Sequence, residues 1–139
     1  MIAFESGQAL AAKFQLDPPA DLRGLFDALR VEVIHWRFGG RLREVVIEGC
    51  VGIDNRLSEP WKRWLTAHAL GHHLLHTGTS LYLESWQWVG KVRAERQAEE
   101  FEAGLLCEAD MSTTTTAQGL ARRAGIPEIK AVFAIQLGS

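Results

Sequence analysis

The feature that most constrains this chain is a cluster of histidines in one short segment. The segment LTAHALGHHLLH, residues 65–76, carries four of the five histidines: His68, His72, His73 and His76. On a helix, residues four apart lie above one another on the same face. His68 and His72 therefore direct two imidazoles at one point, and the apolar residues that continue their face turn it toward the protein interior. The pair predicts a buried helix with metal-ligand spacing.

Other interpretations of the histidines compete with this one. Buried imidazoles need partners, and hydrogen bonds in a core can serve as well as a metal ion. His72 and His76 form a rival pair, which lies at the fraying end of the helix, whereas His73 points about a quarter-turn away and is predicted to be structural. Gly71 costs about 1 kcal/mol against alanine in mid-helix, which predicts that another backbone passes close by.

A third ligand is required, because two histidines do not hold zinc tightly. The segment VRAERQAEEFEAGLL, residues 92–106, predicts a second helix in which Glu95, Glu99 and Glu102 form a carboxylate stripe beside an apolar one. If the two helices pack side by side, one carboxylate meets the histidines and the others orient the rings. Three such glutamates are also typical of a solvated helix face, and the spacing alone does not choose between these alternatives.

The rest of the chain predicts an α+β fold in one domain, residues 1–139. Two helices are expected within 6–15 and 17–30, and a small antiparallel sheet of three strands within 31–54. Alternation in the last part of that sheet assigns five residues to one face: Val45, Ile47, Gly49, Val51 and Ile53. Gly49 is expected to mark a bulge or bend. Further helices are predicted over 58–77 and 91–107, followed by two short ones with a break at 125–127.

The C-terminal helices offer a DNA-binding alternative, since TTAQGLARRAGIPEIKAVFAIQ has the outline of a helix-turn-helix unit. Its basic residues are few, namely Arg122, Arg123 and Lys130, and its second helix is apolar, so a packing role is favoured. The net charge of −2 and the pI of about 6.2 give no reason to expect direct nucleic-acid or membrane binding.

Cellular context is predicted from the cysteines and the apolar segments. Cys50 and Cys107 lie far apart and are expected to be free thiols in a reducing, cytoplasmic setting. No segment reaches the roughly 18 apolar residues of a membrane helix. The aromatics Tyr82, Trp86 and Trp88 are expected either to line a groove or to pack in the core.

The histidine-bearing segment 65–76 and the glutamate-bearing segment 92–106 together resemble the ImmA/IrrE family of zinc metallopeptidases. The family pattern is an AHELGHxLLH-like helix followed by an ExxANxFAxxLL-like helix, and the resemblance extends over nearly the whole chain. It implies a zincin-like domain with a two-helix site for one zinc ion. His68 and His72 match the zinc histidines and Glu95 the glutamate ligand. Glu99 stands where the pattern usually has asparagine, and is expected to orient His68 or His72.

The chain departs from the family pattern in two places. The second helix ends in LLCEAD, residues 105–110, rather than in a Leu-Leu-Met-Pro-like run. The graver departure is Ala69, which occupies the position of the glutamate that takes a proton from the zinc-activated water and passes it to the leaving amine. General acid–base help of this kind is worth about 10²–10⁴-fold in rate, and alanine cannot supply it.

Three explanations of Ala69 are open: an introduced inactivating substitution, a natural zinc-binding protein that grips its partner without cutting it, and replacement of the base by Glu99, Glu102 or a loop carboxylate. The resemblance implies a protein substrate or partner, a helix-turn-helix repressor. The expected function is therefore that of a zinc metallopeptidase-family protein with impaired or absent activity. The alternative is a non-catalytic zinc-binding regulatory module.

Overall fold

The computed structural model describes residues 2–47, 49–75, 80–83, 88–89, 92–107 and 115–138. Within these residues the chain forms six helices and five strands. In order they are α1 (Ile2–Lys13), α2 (Leu22–Leu29), β1 (Glu32–Trp36), β2 (Leu42–Ile47), β3 (Cys50–Asp54), α3 (Glu59–Leu75), β4 (Ser80–Leu83), β5 (Trp88–Val89), α4 (Val92–Leu106), α5 (Ala117–Ala124) and α6 (Glu128–Gly138). The predicted α+β class is confirmed.

The sheet differs from the prediction in direction and in size. Its strand order is β1-β3-β2-β4-β5, and β1 runs parallel to β3 while the other neighbours are antiparallel. The expectation of three antiparallel strands is therefore wrong. The chain reverses direction after β1 and again after β2, so β1 and β3 point the same way, and β3 lies between the other two. The short strands β4 and β5 come from the segment between α3 and α4, where the sequence predicts no strand.

A tight hairpin between β2 and β3 decides which residues face the core. Ile47 pairs with Cys50, so only positions 48 and 49 connect the strands, and Gly49 takes a positive φ of 76°. Glycine adopts this left-handed conformation at little cost. The bend expected at Gly49 is thus confirmed, while the alternative of a bulge within one continuous strand is wrong, and the alternation predicted across Gly49 does not carry over.

The buried face of the hairpin consists of residues that pair across it. Val46 pairs with Val51 and Glu44 with Ile53, and all four are at most 2% exposed. Ile47, which the alternation assigns to the same face as Val51 and Ile53, is instead 54% exposed. A shift by one residue moves every side chain of a strand to the other face. As a result the core side of β2 carries a carboxylate, Glu44.

Helix α4 lies in the middle of the molecule and is crossed closely by α1 and α3. A Cβ built on Gly71 of α3 would lie 3.1 Å from Phe101 Cδ1 and 3.3 Å from Ala98 Cα. The expectation that a backbone passes close to Gly71 is confirmed. On the other side, a Cβ on Gly7 would meet the backbone of Phe101, and one on Gly104 would meet the backbone of α1. These contacts fix α1 and α3 against α4.

The two C-terminal helices pack on this centre. Leu120, Ala124, Ala131 and Ala134 are fully buried, and α6 contacts α4. Gly125 ends α5 in the left-handed conformation, as the predicted break requires. This burial favours the packing role over DNA binding. Among the described residues, no helix combines the length and apolarity needed to cross a membrane.

Candidate metal centre

Helix α3 directs the rings of His68 and His72 into the interior. His68 is 1% exposed and His72 is 6% exposed. Their ring centroids lie 4.7 Å apart, with the ring planes at 84°. The four-residue spacing produces this contact because both side chains leave the same helix face. His73, their neighbour, is half-buried, and the rival His76 lies outside the described residues.

Helix α4 supplies the carboxylate that joins the two rings. Glu95, in the first turn of α4, is 1% exposed. One of its oxygens, Oε2, lies 3.0 Å from His68 Nε2 and 2.9 Å from His72 Nε2. One ligand atom from each of the three residues lies within 4.8 Å of the others, so this buried group could hold a metal ion.

A further buried residue contacts His68, and its position in the sequence does not indicate this contact. Glu44 of β2 is 0% exposed, and both its oxygens lie 3.0 Å from His68 Nδ1. Nδ1 is on the side of the ring away from Glu95. Recognition of EG at 48–49 as a two-residue hairpin turn would have found Glu44, because it would have placed Glu44 on the same face as Val51 and Ile53.

The charges around His68 decide its protonation in the absence of metal. Burial alone would lower the pKa of His68. The negative charges of Glu44 and Glu102, with the hydrogen bonds to Glu44 and Glu95, outweigh burial and raise that pKa well above its usual value. Each nitrogen of the ring faces a carboxylate, and only the imidazolium can donate to both. Without metal, the cluster therefore holds a positive charge between two negative ones.

Glu95 is correspondingly held in its ionised form. Burial raises its pKa, but hydrogen bonds from His68 and His72, together with their charges, lower it to about 2. An ionised carboxylate beside two imidazole Nε2 atoms is a donor set that suits zinc.

Two of the three ligand-atom separations are also close to those of a zinc site. Tetrahedral zinc with bonds of about 2.0–2.1 Å places neighbouring ligand atoms roughly 3.3 Å apart. The separations of 2.9 and 3.0 Å between Glu95 and the imidazoles would need to widen by only about a third of an ångström. Two imidazoles and one carboxylate also leave a fourth position for water or substrate, as in catalytic rather than structural zinc sites.

The other two glutamates of α4 are buried, so the interpretation of this stripe as a solvated face is wrong. Glu99 Oε1 lies 3.6 Å from Lys130 Nζ of α6, and within the described part of the chain this oxygen accepts no hydrogen bond. The ammonium group of Lys130 also lies 5.4 Å from the ring centroid of Trp64. The contact described for Glu99 is thus with α6, and its expected role in orienting His68 or His72 remains a prediction.

Glu102 is the most isolated carboxyl group in this region. It is 0% exposed, and neither oxygen has a hydrogen-bond partner among the described residues. Burial raises the pKa of Glu102 well above its usual value, the charges of Glu99 and Glu44 add to this, and those of His68 and Lys130 oppose it. This shift of the Glu102 pKa disfavours the ionised form that a general base requires.

Ala69 follows His68 in α3 and is fully buried in the hydrophobic core. Its methyl group can neither accept nor release a proton. The aromatic side chains expected to line a groove or to pack in the core, those of Tyr82, Trp86 and Trp88, lie outside the described residues. Both cysteines are free thiols, Cys107 buried and Cys50 partly so.

No family model and no curated protein matches this chain.

Proposed function

We propose that this chain is a zinc-binding protein of the ImmA/IrrE metallopeptidase type whose peptidase activity is impaired because Ala69 replaces the general base. The observation that carries the proposal is the convergence of His68 Nε2, His72 Nε2 and Glu95 Oε2 at one buried point. The resemblance of the two helices to the family pattern supports the choice of zinc and the zincin-like classification.

The chemistry follows from what each residue can supply. Zinc bound there would act as a Lewis acid, polarising a carbonyl and acidifying water. The two imidazoles and Glu95 would hold the ion, and the helix packing at Gly71 keeps α3 and α4 at the distance this requires. Ala69 leaves the proton-transfer step without its carrier. Two described carboxylates are poor replacements: Glu44 lies on the far side of His68 from Glu95, and burial raises the pKa of Glu102.

The partner proposed is a helix-turn-helix repressor, as the resemblance implies. An impaired enzyme would bind the repressor and cut it slowly, whereas a non-catalytic regulatory module would bind it and never cut. Ala69 is completely buried and its methyl group cannot transfer a proton, so the non-catalytic module is the second candidate.

Metal binding is tested by elemental analysis of purified protein after zinc loading and gel filtration. The unmodified chain is expected to retain about one zinc per chain, and His72→Ala is expected to lose it. His73→Ala is the matched control, because it removes the neighbouring imidazole on the same helix and should retain the metal. Zinc absent from the loaded unmodified chain, or retained equally in all three proteins, contradicts the proposal.

Impairment is tested by restoring the missing carboxylate. Ala69→Glu is expected to increase cleavage of a helix-turn-helix repressor from the source genome by about 10²–10⁴-fold, measured by gel analysis of the products. Ala69→Gln has nearly the same size but no base, and should cut no faster than the unmodified chain. Circular dichroism establishes that both variants fold. Equal cleavage by the unmodified chain and Ala69→Glu would contradict impairment, and repressor binding without cleavage by either would favour the regulatory module.

A further inference from the structure

Glu44 is an unusual residue for its position. It lies on the core side of β2, fully buried, where its cross-strand neighbour is the buried Ile53. Burial of a carboxylate is costly unless charged or hydrogen-bonding groups compensate for it. The compensating group is His68, whose Nδ1 lies 3.0 Å from both carboxylate oxygens. Both carboxylate oxygens of this strand residue thus contact one histidine of α3.

The contact determines which nitrogen of His68 is available as a ligand. An ionised carboxylate only accepts hydrogen bonds, so Nδ1 must carry the proton. In a metal-bound ring the lone pair is then on Nε2, which is the atom directed at Glu95 and His72. A carboxylate behind a ligating histidine fixes the tautomer and ring orientation and increases the basicity of the ligand atom.

Glu44 also changes the charge of the site. With Glu95 it places two carboxylates around His68, one on each side of the ring. Their combined negative charge would balance the positive charge of a divalent cation. The family resemblance assigns an orienting role to Glu99 of α4, but the orienting contact described for His68 comes from the sheet.

We propose that Glu44 is a positioning residue for metal binding: it accepts the Nδ1 proton of His68, presents Nε2 as the ligand and increases the affinity of the site for zinc. The inference rests on the proposed zinc site, and it assigns to β2 a role in that site. Outer carboxylates of this kind are worth about 10–100-fold in metal affinity.

Zinc affinity is compared in three proteins by competition with a chromophoric chelator: the unmodified chain, Glu44→Gln and Glu102→Gln. Glu102→Gln is the matched control, since it makes the same substitution at another fully buried glutamate, one with no hydrogen bond to either histidine among the described residues. Glu44→Gln should weaken binding by about 10–100-fold, and its cobalt-substituted form should show a shifted visible absorption spectrum. Glu102→Gln should match the unmodified chain in both measurements.

The outcomes separate this inference from the proposed zinc site. A zinc affinity of Glu44→Gln equal to that of the unmodified chain, with the same cobalt spectrum, overturns the role of Glu44 and leaves the zinc site intact. Equal weakening in both variants also overturns it, because the effect would then not depend on the His68 contact. Failure of the unmodified chain to bind zinc removes the proposed site itself, and the role of Glu44 with it.

A second measurement needs no substitution and applies even if Glu44→Gln does not fold. Long-range ¹H–¹⁵N NMR correlation on the zinc-loaded, unmodified chain identifies which nitrogen of each histidine carries a proton. The inference predicts a protonated Nδ1 and a metal-bound Nε2 for His68. A protonated Nε2 with zinc on Nδ1 would overturn it.

Discussion

A single imidazole, that of His68, brings together three elements of the fold. Its Nδ1 faces Glu44 of β2 and its Nε2 faces Glu95 of α4, while the ring itself belongs to α3. The ligand spacing within α3 was predictable, because it depends only on helical periodicity. Glu44 was not predicted, because its face depends on where the chain turns between β2 and β3. Contacts within one helix follow from local sequence, whereas those between a strand and a helix need the register of the sheet.

Asp54 provides a prediction at the same scale, away from the site. Hydrogen bonds from Arg56 lower its pKa despite the opposing effect of burial, and the charges of Arg56 and Arg43 lower it further. A folded-state pKa below the usual 3.8 means that the ionised form stabilises the fold above that pH, and that this stabilisation is lost as pH falls through the folded-state pKa. Asp54→Asn should cost about 1–3 kcal/mol at neutral pH and less in acid.

The measurement is urea unfolding of both proteins between neutral and acidic pH. The difference in unfolding free energy should shrink as the pH falls below the usual carboxyl range. Asp27→Asn, at an exposed position of α2, should change stability little at any pH. A difference between Asp54→Asn and the unmodified chain that stays constant with pH would show that ionisation of Asp54 does not contribute.

At the scale of elements, the position of α4 depends on glycines that let backbones touch. Gly7 of α1 and Gly104 of α4 each face the backbone of the opposite helix, with no room for a Cβ. Of these glycines, only Gly71 could be assigned a close helix contact from the sequence, because it interrupts a strongly patterned helix. Gly7 lies in a helix whose residue pattern does not indicate a neighbour, so its contact with α4 could not be predicted.

A glycine-to-alanine substitution should destabilise the fold at these helix crossings and stabilise it at a helix position without such a contact. Gly7→Ala and Gly104→Ala force α1 and α4 apart, which should lower the free energy of unfolding by about 1–3 kcal/mol each. Gly24→Ala is the control, since a Cβ there meets only an Asp21 oxygen at 3.9 Å, and the gain in helix propensity should stabilise the fold by up to about 1 kcal/mol. Thermal unfolding provides the comparison. Stabilisation by all three substitutions would contradict the close crossing.

For the whole molecule, the site joins the sheet, α3 and α4, so metal binding and global stability should be coupled. A ligand that binds only the folded state stabilises it by about 2.7 kcal/mol when its free concentration is about 100 times Kd. Zinc should therefore raise the Tm of the chain by on the order of 10 °C. His72→Ala should show no such rise, while His73→Ala should. An equal rise in the Tm of His72→Ala would show that zinc binds at another site.

The sequence predicted the helices and the metal-ligand candidates well, and the arrangement of the sheet poorly. Helical periodicity identified α3 and α4 and brought His68, His72 and Glu95 into consideration as a set. The strand order β1-β3-β2 could not be predicted from the sequence, because alternation indicates that a strand has a buried face without indicating its neighbours. The burial of Glu99 and Glu102 was equally hidden, since it depends on how other elements pack on α4; Lys130 Nζ of α6, for example, lies 3.6 Å from Glu99 Oε1.

The most direct test of the central claim is anomalous X-ray diffraction at the zinc absorption edge from crystals of the zinc-loaded chain. The account predicts one strong anomalous peak about 2.0–2.1 Å from His68 Nε2 and His72 Nε2, with a Glu95 oxygen at about 2.0–2.2 Å. A peak at other residues, or the three side chains clearly resolved with no peak between them, would contradict it.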